Sequence, residues 1–212
     1  MIGFICVPFK IIIFPIFFSI LPCLARMAPQ DLGIAFASAG NEKIFTLEKN
    51  ILKQLLVALK VSQDSTRVAA LTYGEKVRQN FQLNQYDSYT SVANAIDVIT
   101  NGAPGSTIRE ALNMINSDML SERRGARLGV PKIVIFFLTA KAKETFGNEL
   151  QNLQSKGVKI IAIGIGNDYD KQDLVLLGSG TGKYFEIRNV GLDQGIIDII
   201  IQATKKGLSF RF

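Results

Sequence analysis

The sequence contains no histidine and no tryptophan, and its two cysteines, Cys6 and Cys23, both lie within the first 25 residues. The absence of histidine excludes Ser-His and Cys-His nucleophile pairs and most zinc sites, because each of them requires an imidazole. The rest of the chain has no thiol nucleophile and no disulfide framework. The neighbouring acidic residues Asp168 and Asp170 lie in a turn-like segment, and no second carboxylate motif accompanies them. The composition therefore predicts that the protein is not an enzyme.

The length and composition predict one folded domain. The chain has 212 residues, of which 48% are hydrophobic and 20% are charged. This is enough to bury a sizeable single core, and it is not the composition of a disordered chain. We find no internal repeat, heptad run or low-complexity segment.

Residues 1–25 resemble a secretory signal peptide, with an uncharged core that ends in a small residue and predicts cleavage after Ala25. Two alternatives stay open. A membrane anchor is disfavoured by Pro15 and Pro22, and because the uncharged run is shorter than the ~20 residues that a span needs. The other alternative is that translation starts at Met27. We therefore predict a secreted protein with no stable membrane span.

The segment from Ile133 to Leu138 is an unbroken apolar run that is too short to cross a membrane. Such a run is typical of a strand that is covered on both faces of a parallel sheet. Other strand-like segments alternate with helices that carry an apolar residue every three or four positions. The predicted strands are 31–37, 66–73, 77–83, 133–138, 157–166 and 183–187, and the predicted helices are 47–59, 88–99, 106–115, 146–153, 170–177 and 191–205.

This alternation predicts an α/β fold, with a doubly wound, Rossmann-like, mostly parallel six-stranded sheet and helices on both faces. A turn of only three residues, Gly74-Glu75-Lys76, precedes the segment 77–83. We therefore expect this segment to be an antiparallel edge strand. Ser106 is expected to cap the N-terminus of its helix.

Two glycine-rich segments do not have the spacing of a nucleotide site. AIGIGN (162–167) has Tyr169 where a dinucleotide fingerprint requires a third glycine, and GSGTGK (178–183) is followed by Tyr184 instead of Ser or Thr. These glycines are interpreted as turn residues, and no cofactor is expected.

Four basic residues lie before or at the start of the central apolar run: Arg123, Arg124, Arg127 and Lys132. They are interpreted as part of a solvated loop, and the alternative is a site for an acidic polysaccharide or an acidic protein. No aromatic residues are interleaved with them, and nucleic acid is not expected as a partner of a secreted chain.

Several segments resemble a von Willebrand factor type A domain, and in particular those of type VI collagen chains. They span about Asp31 to Lys205, and the most specific are the GARLGVPK lead-in and the KGVKIIAIGIG strand. The predicted organisation is therefore the leader at 1–25, a type A domain at 31–205, which the resemblance implies, and a C-terminal tail at 206–212. The matching segments are DLGIAFASAGN, TRVAALTYGEKV, NGAPGSTIREAL, GARLGVPKIVIFFLT and LQSKGVKIIAIGIGN.

Such domains commonly carry a metal-ion-dependent adhesion site, formed by an Asp-x-Ser-x-Ser pattern, a threonine from a middle loop and an aspartate after the central strand. The corresponding positions of this chain are held by Ala37, Ala39, Asn41, Ile108 and Ala140. Thr107 is available only if the middle loop shifts by one residue. Because Mg²⁺ is held by carboxylates and water in near-octahedral geometry, the neutral oxygens of Asn41 and Thr107 are a poor donor set. The resemblance therefore implies a degenerate site, and we expect no metal there.

The resemblance implies a metal-independent protein-interaction module of the extracellular matrix, with matrix proteins or acidic polysaccharide as partners. We expect the partner to contact Asn41, Thr107, Arg109, Lys141 and Lys143, where the net charge is predicted to be positive. Two alternatives stay open: an intracellular type A scaffold that starts at Met27, and a truncated fragment of a larger matrix protein with little function of its own.

Overall fold

A computed structural model of the chain describes residues 28–38, 41–180, 183–188, 195 and 198–202. The predicted leader and the predicted tail lie outside these residues, as does most of the predicted last helix. The strands are β1 (Gln30–Ala37), β2 (Thr66–Tyr73), β3 (Arg78–Phe81), β4 (Lys132–Leu138), β5 (Lys159–Ile165) and β6 (Tyr184–Ile187). The α-helices are α1 (Glu42–Ala58), α2 (Tyr89–Asp97), α3 (Ile108–Met114), α4 (Gly147–Ser155) and α5 (Lys171–Gly178).

The strands form one six-stranded sheet in the order β3-β2-β1-β4-β5-β6, and all neighbours are parallel except β2 and β3. All eight residues of β1 are buried, and so are six of the seven residues of β4. Because successive side chains of a strand point to opposite faces, this burial means that both faces of the sheet are covered. The predicted doubly wound α/β fold is confirmed.

The edge strand β3 is antiparallel to β2, as predicted, but it is shorter than the predicted segment 77–83. The pairing with β2 shifts register between Ala70 and Leu71. This irregularity lies inside the ladder, which covers the four residues Arg78–Phe81. The apolar alternation beyond Phe81 reflects packing rather than pairing, since Leu83 is fully buried outside the strand.

The helix N-termini differ in how they are capped. The Asn41 side chain accepts a hydrogen bond from the Lys43 amide at the start of α1, and Ser88 caps α2 in the same way. The predicted cap at Ser106 is wrong, because α3 is preceded by Thr107, whose side chain makes no capping bond. The backbone here is fixed instead by the Thr107 amide, which donates to the Gly74 carbonyl at 3.2 Å. Helix α3 continues directly into a π-helical turn at Ile115–Met119.

The glycines of the segment 162–167 have two different roles. Gly166 has a φ of +85°, which fits the predicted turn residue. Gly164 does not, because it lies inside β5. A Cβ at this position would lie 2.6 Å from Cζ of Tyr169, so the glycine leaves room for the tyrosine ring to pack on the sheet.

Arg127 is not a solvated loop residue, which corrects the interpretation of the basic run. Its guanidinium forms an ion pair of 2.8 Å with Asp31, whose side chain is fully buried at the start of β1. The Arg127 amide donates to the other Asp31 oxygen at 2.7 Å. The guanidinium also donates to the carbonyls of Gln30 and Ser65, each at 2.7 Å. Arg127 therefore joins β1 to the segments that precede β2 and β4.

The other basic residues of this run differ in exposure. Arg123 is exposed and pairs with Asp118, whereas Arg124 is only partly exposed and pairs with the same carboxylate. These two contacts lower the pKa of Asp118, with the Arg124 hydrogen bond as the largest cause.

Among the described residues, no helix has the length and apolarity needed to cross a membrane.

Replacing Arg127 should destabilise the fold strongly. In Arg127→Met the buried carboxylate of Asp31 loses its charged partner, and we expect the free energy of unfolding to fall by about 3–5 kcal/mol. Urea denaturation of the purified protein measures this loss. A matched substitution at the exposed Arg123, Arg123→Met, should cost less than about 1 kcal/mol.

A second variant isolates the cause of this loss. In Asp31→Leu/Arg127→Met both charges are removed, and part of the lost stability should return, since no uncompensated charge remains buried. The hydrogen bonds to the carbonyls of Gln30 and Ser65 stay lost in this variant. A loss for Arg127→Met as small as that for Arg123→Met would contradict this account.

Candidate functional site

The candidate site lies at the edge of the sheet where the parallel strands end. Ser38 follows β1, Gly74 follows β2 and Thr139 follows β4. In doubly wound sheets this edge is where ligands bind, because the loops leaving neighbouring strands meet there. Ser38 and Thr139 are buried, so the edge is closed just above the strand ends.

The loop from residues 99 to 107 crosses this edge and is hydrogen-bonded to the segments that follow β1 and β2. The Gly102 amide donates to Oγ of Ser38 at 3.1 Å, and the Glu75 amide donates to the Ala103 carbonyl at 3.1 Å. A Cβ on Gly105 would lie 2.4 Å from the backbone of Gly74, so only glycine permits this close approach. The loop is therefore held against the ends of β1 and β2 by backbone contacts.

The positions that correspond to the family's carboxylates carry no side-chain oxygen. Ala37 is buried at the end of β1, and Ala140 is half-buried just after β4. Ile108, at the expected threonine position, is 1% exposed and part of the core. Ala39 lies outside the described residues. In the described part of the chain, no group of three or more Asp, Glu, His or Cys residues could hold a metal ion.

The two neutral oxygens that remained as candidate ligands differ in availability. Oδ1 of Asn41 already accepts the Lys43 amide at 3.0 Å, so it serves as the cap of α1. Oγ1 of Thr107 is buried and has no hydrogen-bond partner among the described residues. One free hydroxyl and no carboxylate do not match the donor set that Mg²⁺ requires. These residues therefore do not fit the family's metal.

A buried carboxyl group that the sequence reasoning missed lies beneath this edge. Glu48, on α1, is fully buried, and its Oε2 accepts the Ala37 amide at 3.0 Å. Burial raises the pKa of Glu48 well above its ordinary value, and the hydrogen bond from Ala37 opposes this only in part. A signal was present in the sequence, since Glu48 lies three residues before Ile51 and four before Leu52, on the apolar face of the helix.

Tyr73 closes the space beside Glu48. Its hydroxyl donates to the Phe137 carbonyl at 2.5 Å and so connects β2 to the end of the central strand β4. Burial raises the pKa of Tyr73, and the nearby Glu48 raises it further. Its ring packs on Phe136 with centroids 4.9 Å apart. The region below the positions that correspond to the family's metal ligands is therefore filled by side chains.

We call the five residues predicted to contact a partner the rim: Asn41, Thr107, Arg109, Lys141 and Lys143. All five lie at or near this edge, but their charges are not all available. Arg109 is ion-paired with Glu144, and Lys141 lies 3.5 Å from Asp170. Lys143 is exposed and has no ionic partner in the described part of the chain. The rim is therefore of mixed charge.

The described residues form two cavities at this edge. One, of about 470 Å³, lies between residues 142–147 and α5, and Lys143 and Leu176 line it. Its wall is fixed by the Ala142 amide, which donates to Asp173 at 2.9 Å. The other, of about 490 Å³, lies beside the turn between β2 and β3.

Comparison with known proteins agrees with this architecture. The family model of the von Willebrand factor type A domain matches residues 37–198. The chain therefore belongs to the von Willebrand factor type A domain family, as the sequence resemblance predicted.

The curated relatives are longer proteins. The human collagen alpha-5(VI) chain is 27% identical over 152 residues, which cover 72% of this chain and 6% of the collagen chain. Chicken (Gallus gallus) matrilin-1 is 26% identical over 140 residues, covering 64% of this chain and 28% of matrilin-1. The von Willebrand factor A domain-containing protein 2 of Xenopus laevis is 28% identical over 155 residues, covering 71% and 20%. The chain thus matches less than a third of the length of these relatives.

Solved structures support the same fold. Proximal thread matrix protein 1 from the mussel byssus has a TM-score of 0.77 at 19% identity, covering 84% of this chain and 48% of that chain. A structure of the same mussel protein with a zinc-occupied MIDAS motif has a TM-score of 0.76 at 22% identity, covering 84% and 46%. At these identities the likeness establishes the fold alone.

The buried Glu48 should make stability depend on pH. Because the folded state raises its pKa, the folded protein holds this proton more tightly than the unfolded chain. The stabilisation is complete below the unfolded pKa of about 4.3 and is lost as the pH rises toward the folded pKa, by about 1.4 kcal/mol for each tenfold difference in proton affinity. In Glu48→Gln this loss should disappear, so that its stability at pH 7 equals or exceeds that of the wild type.

Urea denaturation between pH 4 and pH 8 checks this expectation. Glu75→Gln, at an exposed glutamate of the same edge, is the matched control and should keep the wild-type pH dependence. Identical pH dependence in Glu48→Gln and the wild type would show that Glu48 is not the group responsible.

Proposed function

We propose that the protein is a metal-independent protein-interaction module of the extracellular matrix, which binds a partner through the rim by surface complementarity and without catalysis. The observation that carries this proposal is the combination of a complete type A sheet with Ala37 and Ala140 at the carboxylate positions. The chain forms the sheet of the family, but the two aspartates that would hold the ion are replaced by alanines.

The chemistry of the remaining groups supports metal independence. A divalent ion would have to be held by Oγ1 of Thr107 without a carboxylate, since Asn41 already caps α1. Glu48 cannot replace the missing carboxylates, because its Oε2 is bonded to the Ala37 amide and its raised pKa favours the uncharged acid. Neutral donors do not offset the cost of removing water from Mg²⁺.

The relatives support the matrix setting. They include a type VI collagen chain and matrilin-1. Together with the predicted leader at 1–25, this favours a protein that is secreted into the extracellular matrix. Matrix proteins or acidic polysaccharides are the partners that we propose.

The rim is proposed as the contact surface because it lies at the edge of the sheet where ligands of doubly wound folds bind. Lys143 has no ionic partner among the described residues, and Lys141 is 73% exposed although it lies near Asp170. Exposed ion pairs of this kind are weak, so a partner carboxylate can compete for Lys141. The rim thus still offers cations to an acidic partner.

Retention of the protein on an immobilised acidic matrix protein or on heparin tests this function. We expect equal retention in buffers with Mg²⁺ and with EDTA. Because each exposed charge contributes up to about 1 kcal/mol, Lys141→Glu/Lys143→Glu should weaken binding by roughly tenfold.

The control for this experiment is Lys60→Glu/Lys156→Glu, which reverses two exposed lysines at the opposite edge of the sheet. It changes the net charge equally and should leave retention nearly unchanged. Loss of retention in EDTA would contradict metal independence. Equal losses in both double variants would contradict the rim as the contact surface.

A further inference from the structure

The cavity beside the β2–β3 turn lies at the same edge as the rim but contains none of its residues. It has a volume of about 490 Å³. The end of β2 and the start of β3 form one side, and the loop from residues 99 to 107 forms the other. The side chains that matter here are Thr72, Glu75, Lys76, Val77, Arg78 and Asn80.

The two sides of the cavity are fixed to each other. The Glu75 amide on the hairpin side donates to the Ala103 carbonyl on the loop side at 3.1 Å. At the bottom, the Gly102 amide donates to Oγ of Ser38 at 3.1 Å. Because both sides are held by backbone donors, the cavity is formed before any ligand arrives, and binding does not have to order a loop.

Two cations of the cavity form no ion pair among the described residues. Lys76 and Arg78 are exposed, and neither forms an ion pair with any residue that the structure describes. In the antiparallel register of β2 and β3, Arg78 lies opposite Thr72. Cross-strand partners share a face of the sheet, so Arg78 is positioned on the side of Thr72, which also lines the cavity. In contrast, Arg109 and Lys141 of the rim already have acidic partners.

Two side-chain amides that line the cavity already donate to neighbouring groups. Nδ2 of Asn80 donates to Oγ1 of Thr72 at 2.6 Å, and Nδ2 of Asn101 donates to Glu42 at 3.3 Å. Oδ1 of Asn101 is buried and has no hydrogen-bond partner among the described residues, but an acceptor of this kind does not bind an anion. The capacity to bind an anion therefore lies with the two cations. They are the groups that an incoming anion would pair with.

The balance of charge favours a small anionic group over a long polyanion. Glu75 lines the same cavity as Lys76 and Arg78, so the three side chains together carry a net charge of only +1. A sulfated polysaccharide gains most from a continuous row of cations, and Glu75 interrupts such a row. A carboxylate on a peptide can pair with both cations while its methylene groups contact the half-buried Val77.

We propose that this cavity is a binding site for an aspartate- or glutamate-containing peptide segment of a partner protein. The proposal rests on the interaction function proposed above and adds a second contact, with the chemistry of the partner, at the same edge. The carboxylate of the segment pairs with Lys76 and Arg78, and the rim contacts a neighbouring part of the same partner.

Nuclear magnetic resonance of the full ¹⁵N-labelled chain tests the site directly. The probe is a short blocked peptide that contains two glutamates, and the matched peptide with two glutamines is the neutral control. We expect the glutamate peptide to shift the amide signals of residues 75–80 and 100–103, and the glutamine peptide to shift none of them. The binding should weaken as salt is added, because the cations are exposed.

Variants then measure the contribution of the two cations. Lys76→Gln/Arg78→Gln should reduce the affinity for the glutamate peptide by at least about tenfold. Lys60→Gln/Lys156→Gln removes the same charge at the opposite edge and should leave this affinity within about twofold.

Each other outcome overturns the proposal in a distinct way. Shifts confined to residues 140–144 would place the acidic group at the rim instead of the cavity. A heparin fragment that shifts residues 75–80 more strongly than the peptide would make the ligand a polysaccharide. No shift at millimolar peptide would remove this cavity as a site, and it would leave the function proposed above to be decided by matrix retention.

Discussion

The two-sided burial of the central strands is the constraint on which the rest of the structure depends. Every residue of β1 is buried, and β4 and β5 are buried after their first residues. Strands of this kind leave no room for polar side chains along their length. Charged groups are therefore confined to the two ends of the strands, where they serve different purposes.

At the edge where the parallel strands begin, a buried ion pair stabilises the fold. Asp31 is fully buried and forms an ion pair with Arg127. The Arg127 guanidinium also donates hydrogen bonds to the carbonyls of Gln30 and Ser65. At the opposite edge, where the family places its metal, the charges differ from those of the family's site. Ala37 and Ala140 provide no carboxylate, and the buried carboxyl that the described residues place there, Glu48, is bonded to the Ala37 amide.

Much of the fold could be predicted from the sequence, because hydrophobic periodicity reports burial directly. The observed strand Thr66–Tyr73 has the predicted bounds, and the antiparallel edge strand followed from the short turn at Gly74. The absence of side-chain oxygen at Ala37 and Ala140 could also be read from the sequence. These features are local and need no information about distant contacts.

What could not be predicted depends on contacts between distant residues. Arg127 was interpreted as solvated because its partner Asp31 lies 96 positions away in the chain. The cap expected at Ser106 was wrong because a backbone contact with Gly74 fixes the start of α3 instead. The positive rim was expected from Arg109, Lys141 and Lys143, and the acidic residues that pair with the first two come from other loops.

We propose above that this type A domain holds no divalent ion at the family's site. Calorimetric titration of the wild-type protein with Mg²⁺ and with Mn²⁺ tests it most directly, with Ala37→Asp/Ala140→Asp as the variant that returns the two carboxylates. The account predicts no one-site isotherm in the micromolar range for the wild type, and heat of binding only in the variant. A one-site micromolar isotherm for the wild type would contradict it.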